Sequence, residues 1–132
     1  MLDGTMIGLI VAVVVIVIIL LAIMKLMPHT STIDKEKYQS KWLEIEHSLD
    51  IANRDSRYMA ILKADKLLDQ ALKDTGSRGQ TMGERMKDRQ SAWSNANAVW
   101  AAHKIRNQIA HDDNVQLSET ITKRALASFK RA

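Results

Sequence analysis

The sequence predicts an all-α protein, a single N-terminal transmembrane helix followed by a four-helix bundle. Three observations carry this. Residues 6 to 24 hold no charged side chain. The remainder repeats its apolar residues at steps of three and four, the helical period, and no strand is needed anywhere. At 132 residues the chain is about one domain long, and its 46% hydrophobic content is unevenly placed, densest in the first span. Every basic residue except Lys25 and every acidic one except Asp3 lies in the 105 residues from Pro28 to Ala132, 18 Lys/Arg against 14 Asp/Glu. That charge density is ordinary for a small soluble domain. One modest core fits this length and a two-domain enzyme does not. The absence of a Gly-rich strand-to-helix unit excludes a dinucleotide fold or a Walker-type phosphate loop. With no Cys, disulfide frameworks, thiol nucleophiles and Cys-ligated zinc are excluded, and the compartment stays open because lack of Cys suits either side of a membrane.

The run from Met6 to Met24, MIGLIVAVVVIVIILLAIM, has 19 uncharged residues. At about 1.5 Å per residue it crosses most of a roughly 30 Å hydrocarbon layer. A cleaved signal would carry a basic N-terminal flank and a small-x-small exit. Here the flank offers only Asp3 and the exit reads AIMKLMPHT, so an uncleaved anchor over residues 1–27 is expected. Lys25, Lys35, Lys37 and Lys41 follow the span while no Lys or Arg precedes it. Positive flanks stay inside, which predicts an N-terminus outside and a C-terminal domain in the cytoplasm. A buried core helix is the other reading of an apolar run, but one apolar on every face needs a larger protein around it.

Pro28 stops the membrane helix, residues 28–32 form a short linker, and the bundle occupies 33–132. Ser31 and Asp34 have the spacing of a capping box, so a helix should begin near Ile33. Tyr38, Trp42, Ile45, Leu49 and Ala52 then form one apolar stripe, leaving Lys35, Glu36, Lys41, Glu44 and Glu46 in water. Asn53 or Asp55 can cap a second helix bearing Tyr58, Ile61, Leu62, Leu68, Ala71 and Leu72, ended by Gly76. Asp65 interrupts that stripe. It reads as a satisfied acid at the edge of the core, or a partner for a nearby Lys or Arg, in preference to a catalytic group. The segment TGSRGQTMGER holds three of the five Gly residues and reads as a loop, with Thr81 and Glu84 as a capping box that restarts helix over Met82 to Asp88. A third long helix is expected from Ser91 to Ala110. Trp93, Ala96, Val99, Trp100, Ile105 and Ile109 supply its apolar surface, and the two Trp, seven apart, share a face as packing residues. Asp112, Asp113 and Asn114 break the pattern. Ser118 then caps a fourth helix carrying Ile121, Ala125, Leu126 and Phe129.

Chemistry concentrates in WAAHKIRNQIAHDD, residues 100 to 113. On a helix His103, Arg106, Asn107 and Ala110 share a face, whereas His111 lies about 140° round from Arg106 and joins them only if the helix frays or a second copy contributes. Imidazole moves protons near neutrality, and a guanidinium fork holds a phosphate and stabilises charge gathering on it. Those are the needs of phosphodiester cleavage. Asn107 can orient the imidazole or a 2′-hydroxyl through its amide, and Asp112 beside His111 can favour the imidazolium form. His103 reads first as a packing or hydrogen-bonding residue. His29 and His47 have no partner cluster. No His-x3-His and no paired acids share a face with this group, so neither a metal nor any cofactor is expected.

RNQIAH, Arg106 to His111, resembles the signature of the HEPN superfamily of helical domains, an Arg, often followed by a polar residue such as Asn, then a His after four to six residues near the end of a long helix. The stretches AILKADKLLDQAL, GQTMGERM and VWAAHKIRNQIAHD also look like small bacterial HEPN-like proteins with one N-terminal membrane helix, a likeness covering roughly residues 33 to 131. The resemblance implies an up-down HEPN-like bundle and a metal-independent endoribonuclease, or an RNA-binding descendant of one, in which two protomers line one cleft with both Arg-His motifs. On that carry-over Arg106 stabilises the pentavalent phosphate, His111 acts as general base or acid at the 2′-hydroxyl, and Asn107 positions them. Products would carry a cyclic phosphate, and whether an antitoxin-like or other protein partner restrains the enzyme stays open. His103 is outside the signature.

Two other readings stay open. A membrane-tethered helical RNA- or protein-binding module would use Arg106 and His111 only to secure the turn between the last two helices; a net charge of +4, spread along the chain, does not demand nucleic acid. A lipid-surface sensor would rest on the lysines after the anchor, a patch diluted by Asp34 and Glu36.

Overall fold

A computed structural model describes residues 3–27 and 32–132. The chain divides into two compact units, Met1–Thr30 and Ser31–Ala132. Pro28, His29, Ser31 and all of the expected linker but Thr32 lie outside the described residues; Ile33 and Asp34 are described, and the helix does not begin at Ile33, because Asp34 is extended and is itself the cap. Among the described residues there are six α-helices, one 3-10 turn and no strand.

The first unit holds α1, Gly4–Leu26, 23 residues with none buried within the unit. Its Val/Ile run is only a middling helix former in water. In hydrocarbon a helix is the form that satisfies every backbone N–H and C=O within the segment. At about 1.5 Å per residue its length matches a hydrocarbon layer. It is long and apolar enough to span a membrane.

The second unit begins with α2, Lys35–Ser48, whose cap is Asp34, accepting from the Lys37 N–H at 3.1 Å. The helix is shorter than the apolar stripe suggested. Leu49 is extended and half-buried, Ala52 is exposed, and the chain turns at Asp50, whose carboxylate accepts from the Ala52 N–H at 3.1 Å. Of the two candidate caps Asn53 serves, accepting from the Ser56 N–H at 3.0 Å, and it opens α3, Arg54–Asp74. That helix closes in a paired-bond turn in which the Ser77 N–H reaches Leu72 O at 2.9 Å and the Gly76 N–H reaches Lys73 O at 3.0 Å. The turn puts residue 76 at φ 76°, a conformation glycine adopts without penalty. Thr81 and Glu84 form the expected capping box, and α4 covers Met82–Arg89.

The expected single helix over 91–110 is two pieces. A 3-10 turn, Gln90–Ala92, ends with the Trp93 N–H on Gln90 O at 3.1 Å, and Trp93 is extended. The helix α5 is Ala96–His111. Asn95, placed to cap it, instead donates its amide to Ser128 O at 3.1 Å, so the tertiary contact takes the side chain from the local role. Trp93 and Trp100 therefore do not share a helical face, although both pack half-buried against the core. Ser118 caps α6, Glu119–Arg131, accepting from the Ile121 N–H at 3.1 Å. Ile121 itself is 39% exposed, and Thr122 is buried. The Thr122 and Ser128 hydroxyls can be buried because each bonds a carbonyl one turn back, Ser118 O and Arg124 O.

The helix α3 packs against α2, α4, α5 and α6, and α5 packs on α6. Ile61, Leu68 and Leu72 from α3, Ile45 from α2, Met86 from α4, Val99 from α5 and Phe129 from α6 form the buried core. Both ends of α3 also grip other segments. At its start Arg57 donates to Leu117 O at 3.0 Å and Ile51 O at 2.7 Å, the Tyr58 hydroxyl donates to Val115 O, and Arg54 donates to Asp113 O. The α5–α6 connection is thus held from below. At its end Asp74 accepts from the Tyr38 hydroxyl at 2.6 Å, from Lys37 at 3.1 Å and from Gln70 at 2.9 Å. Those bonds, Tyr38's first, hold the Asp74 carboxyl down at about 2, and burial together with Asp74 pushes the Tyr38 phenol up.

A Cβ at Gly79, φ 142°, would meet Glu84 Cβ at 2.6 Å and Arg85 N at 2.8 Å, while one at Gly83 meets nothing nearer than 3.9 Å. Gly79→Ala should lower stability by about 1–3 kcal/mol, and Gly83→Ala, inside α4, should be neutral or raise it by up to about 1 kcal/mol; thermal unfolding of the full chain compares them. For Asp74, a depressed folded pKa means stability fully present above the unfolded value near 4 and lost as pH falls toward about 2. Urea midpoints measured from pH 5 to pH 2 should therefore fall less steeply in Asp74→Asn than in wild type.

Candidate functional site

The residues singled out on α5 gather around a residue of α3. Ile61, Ala64 and Leu68 place one face of α3 in the core, and Asp65, beside Ala64, is drawn in with them. On α5, Val99 and Ala102 are buried, and His103 and Arg106 flank that stripe. The Asp65 side chain is 4% exposed, and an unpaired carboxylate there would be costly. It is paired twice. Its Oδ1 lies 2.7 Å from His103 Nδ1, and its Oδ2 lies 3.3 Å from Arg106 Nε.

Two further contacts close a ring. Arg106 Nη1 donates to Asn107 Oδ1 at 3.1 Å, and Asn107 Nδ2 lies 3.4 Å from His103 Nε2. An ionised carboxylate only accepts, so Nδ1 of His103 is the donor to Asp65, and Nε2 faces the Asn107 amide. Trp100 meets the imidazole edge-on at 6.2 Å between ring centres, its own indole N–H held by Gln90 at 2.9 Å. The Arg106 side chain is 40% exposed. One carboxylate thus anchors both a half-exposed cation and an oriented imidazole, and the guanidinium can offer its outer edge to an anion.

The other candidates stand apart. His111 is the last residue of α5, exposed, and its side chain makes no hydrogen bond or ion pair among the described residues. Asp112 does not pair with it. That carboxylate accepts from the Asn114 N–H at 2.8 Å, closing the turn after the helix. His47 is exposed in the last turn of α2. Among the described residues no group of three His, Asp or Glu comes together as a metal ion would require. The sequence reading of Asp65 as a satisfied acid partnering a Lys or Arg holds, with Arg106 as that partner, but it did not place Asp65 in the cluster with His103. Its signal was present, an acid interrupting an apolar stripe, but the partner 38 residues away on another helix depends on how α3 and α5 pack. A groove of about 510 Å³, bordered by Tyr38, Trp42, Leu67 and Phe129, lies elsewhere and is not lined by this cluster.

Compared with models of protein families, with curated protein sequences and with solved structures, the chain matches none.

Removing the anchor has a definite expected effect. Asp65→Ala strands the His103 N–H in a part-buried site, while half-exposed Arg106 regains water, so the loss should be about 2–3 kcal/mol. Urea denaturation of the full chain measures it, and a loss under about 0.5 kcal/mol would show that the ring contributes little to folding.

Proposed function

We propose that this protein is a membrane-anchored HEPN-like domain that cleaves RNA without a metal, by attack of a 2′-hydroxyl on the adjacent phosphate. In this reading α2, α3, α5 and α6 are the four helices of an up-down HEPN-like bundle. The domain faces the cytoplasm because the lysines follow the span. Two protomers bring their Arg106 and His111 residues to one cleft. The observation that supports the reading best is the anchored Arg106. Bonded by Asp65 and Asn107, and half exposed near the end of α5, it is a preorganised cation where phosphate charge would build up. His111, exposed and uncommitted at the end of the same helix, is free to move a proton at the 2′-hydroxyl or the leaving oxygen.

One observation favours a second reading, a non-catalytic membrane-tethered helical module that binds RNA or protein. The His111 imidazole is not bonded to the Arg106 cluster, so the two motif residues do not form a site within a single chain.

The deciding experiment incubates the full chain in detergent micelles with end-labelled RNA in EDTA. Wild type is compared with Arg106→Ala and His111→Ala variants of intact helical circular dichroism. Wild type should give cyclic-phosphate ends, and each substitution should lower the rate by on the order of 10²–10⁴-fold. Folded wild type that leaves RNA intact, or variants that cut equally well, would establish the binding module instead.

A further inference from the structure

We infer that His103 is a positioning residue for Arg106: held by Asp65 with its proton on Nδ1, it turns the Asn107 amide so that the amide oxygen faces the guanidinium. The inference rests on the reading of Arg106 as the anion-holding group. It comes from the donor and acceptor chemistry of the ring. Asp65 Oδ1 and Oδ2 only accept, and Arg106 Nε and Nη1 only donate. Between these fixed ends His103 and Asn107 have one arrangement in which every contact pairs a donor with an acceptor. His103 Nδ1–H goes to Asp65 at 2.7 Å, Asn107 Nδ2–H faces His103 Nε2 at 3.4 Å, and Arg106 Nη1–H goes to Asn107 Oδ1 at 3.1 Å. Turning the amide over sets its N–H₂ against the guanidinium and its oxygen against the imidazole lone pair.

A proton added at Nε2 reverses the preference. The new N–H would confront the amide N–H₂, and the contact is restored only if the oxygen swings to His103 and away from Arg106. Neutral His103 therefore leaves Arg106 with two acceptors, and imidazolium leaves it with one. The charged groups bonded to His103 are Asp65 from α3 and, through the ring, Arg106 on its own helix. Trp100 at its edge is uncharged, and α6 sends it no hydrogen bond or ion pair among the described residues. His103 itself is 12% exposed on its side chain and Nε2 is covered by Asn107, so it acts through Asn107 and not on substrate.

Full-length protein in micelles, labelled with ¹⁵N at His and Arg, gives the test, with His103→Gln and His103→Leu as variants. Long-range ¹H–¹⁵N spectra at neutral pH should show His103 as the Nδ1–H tautomer. The Arg106 Nε–H resonance should be sharp in wild type and in His103→Gln, whose carbonyl oxygen can accept from Asn107 where Nε2 does, and broadened in His103→Leu. In the RNA assay the Leu variant should lose on the order of 10²-fold. The Gln variant should recover most of that rate. An Nε2–H tautomer, or Gln and Leu variants alike in both Arg106 resonance and rate, overturns the inference. If wild type cuts no RNA, the nuclease reading fails, and the tautomer and the Arg106 resonance decide this one alone.

Discussion

The buried carboxylate of Asp65 constrains more of this structure than any other single group. An acid 4% exposed on a helix that packs against four others must find its compensation nearby. It does so with the two donors that α5 can offer from one face, His103 and Arg106. The rotation of α5 about its own axis is therefore set twice, by the burial of Val99 and Ala102 and by the bonds to Asp65. Turning the helix by one residue, about 100°, would expose the alanine and break both bonds together. Core and cluster are consistent with each other, the condition under which a polar group inside a small domain specifies an arrangement and does not merely weaken it.

The helix α3 also holds the parts that come before and after it. Arg54, Arg57 and Tyr58 take carbonyls from the 113–117 segment, Asp74 takes Tyr38 and Lys37 from α2, and Asp69 takes buried Arg85 from α4 at 2.7 Å. For Asp69 burial works to raise the pKa, and the bonds from Arg85 and Lys73 outweigh it, leaving it lowered. These are polar clamps on connections, and apolar contact does the rest. The arrangement suits a chain in which the second unit has a single modest core and five helices to keep in register.

Much of this was legible in the sequence, and where it was not the reason is physical. Caps at Asn53, Thr81 and Ser118 were readable because capping is local: the acceptor side chain and the N–H it takes are three residues apart. The apolar stripe on α3 was readable because burial repeats with the helical period. The start of α5 was not, since Asn95 spends its amide on Ser128, a partner 33 residues away. Leu49 kept the helical stripe going past the end of α2 because an extended residue can reach the core as well as a helical one. In the cluster, the face shared by His103, Arg106 and Asn107 followed from spacing alone. Asp65 followed only in part. Spacing marked it as an acid in need of a partner, and helix packing chose the partner.

The position of His111 sets a limit on any chemistry that needs it together with Arg106. Five residues on, it is about 140° round the helix and roughly 7.5 Å further along. The helix end offers little slack to close that gap. The Asp112 N–H completes the backbone ladder on Gln108 O at 2.9 Å, Asp112 closes the following turn, and Arg54, Tyr58 and Arg57 hold the next carbonyls against α3. Fraying would have to break those bonds in sequence for one imidazole to swing back. A second copy needs none of that, because His111 is exposed and its side chain makes no hydrogen bond or ion pair among the described residues. If Arg106 and His111 act on one phosphate, the geometry of α5 favours drawing them from two chains, and the ring around Asp65 is what keeps each chain's arginine in place while they meet.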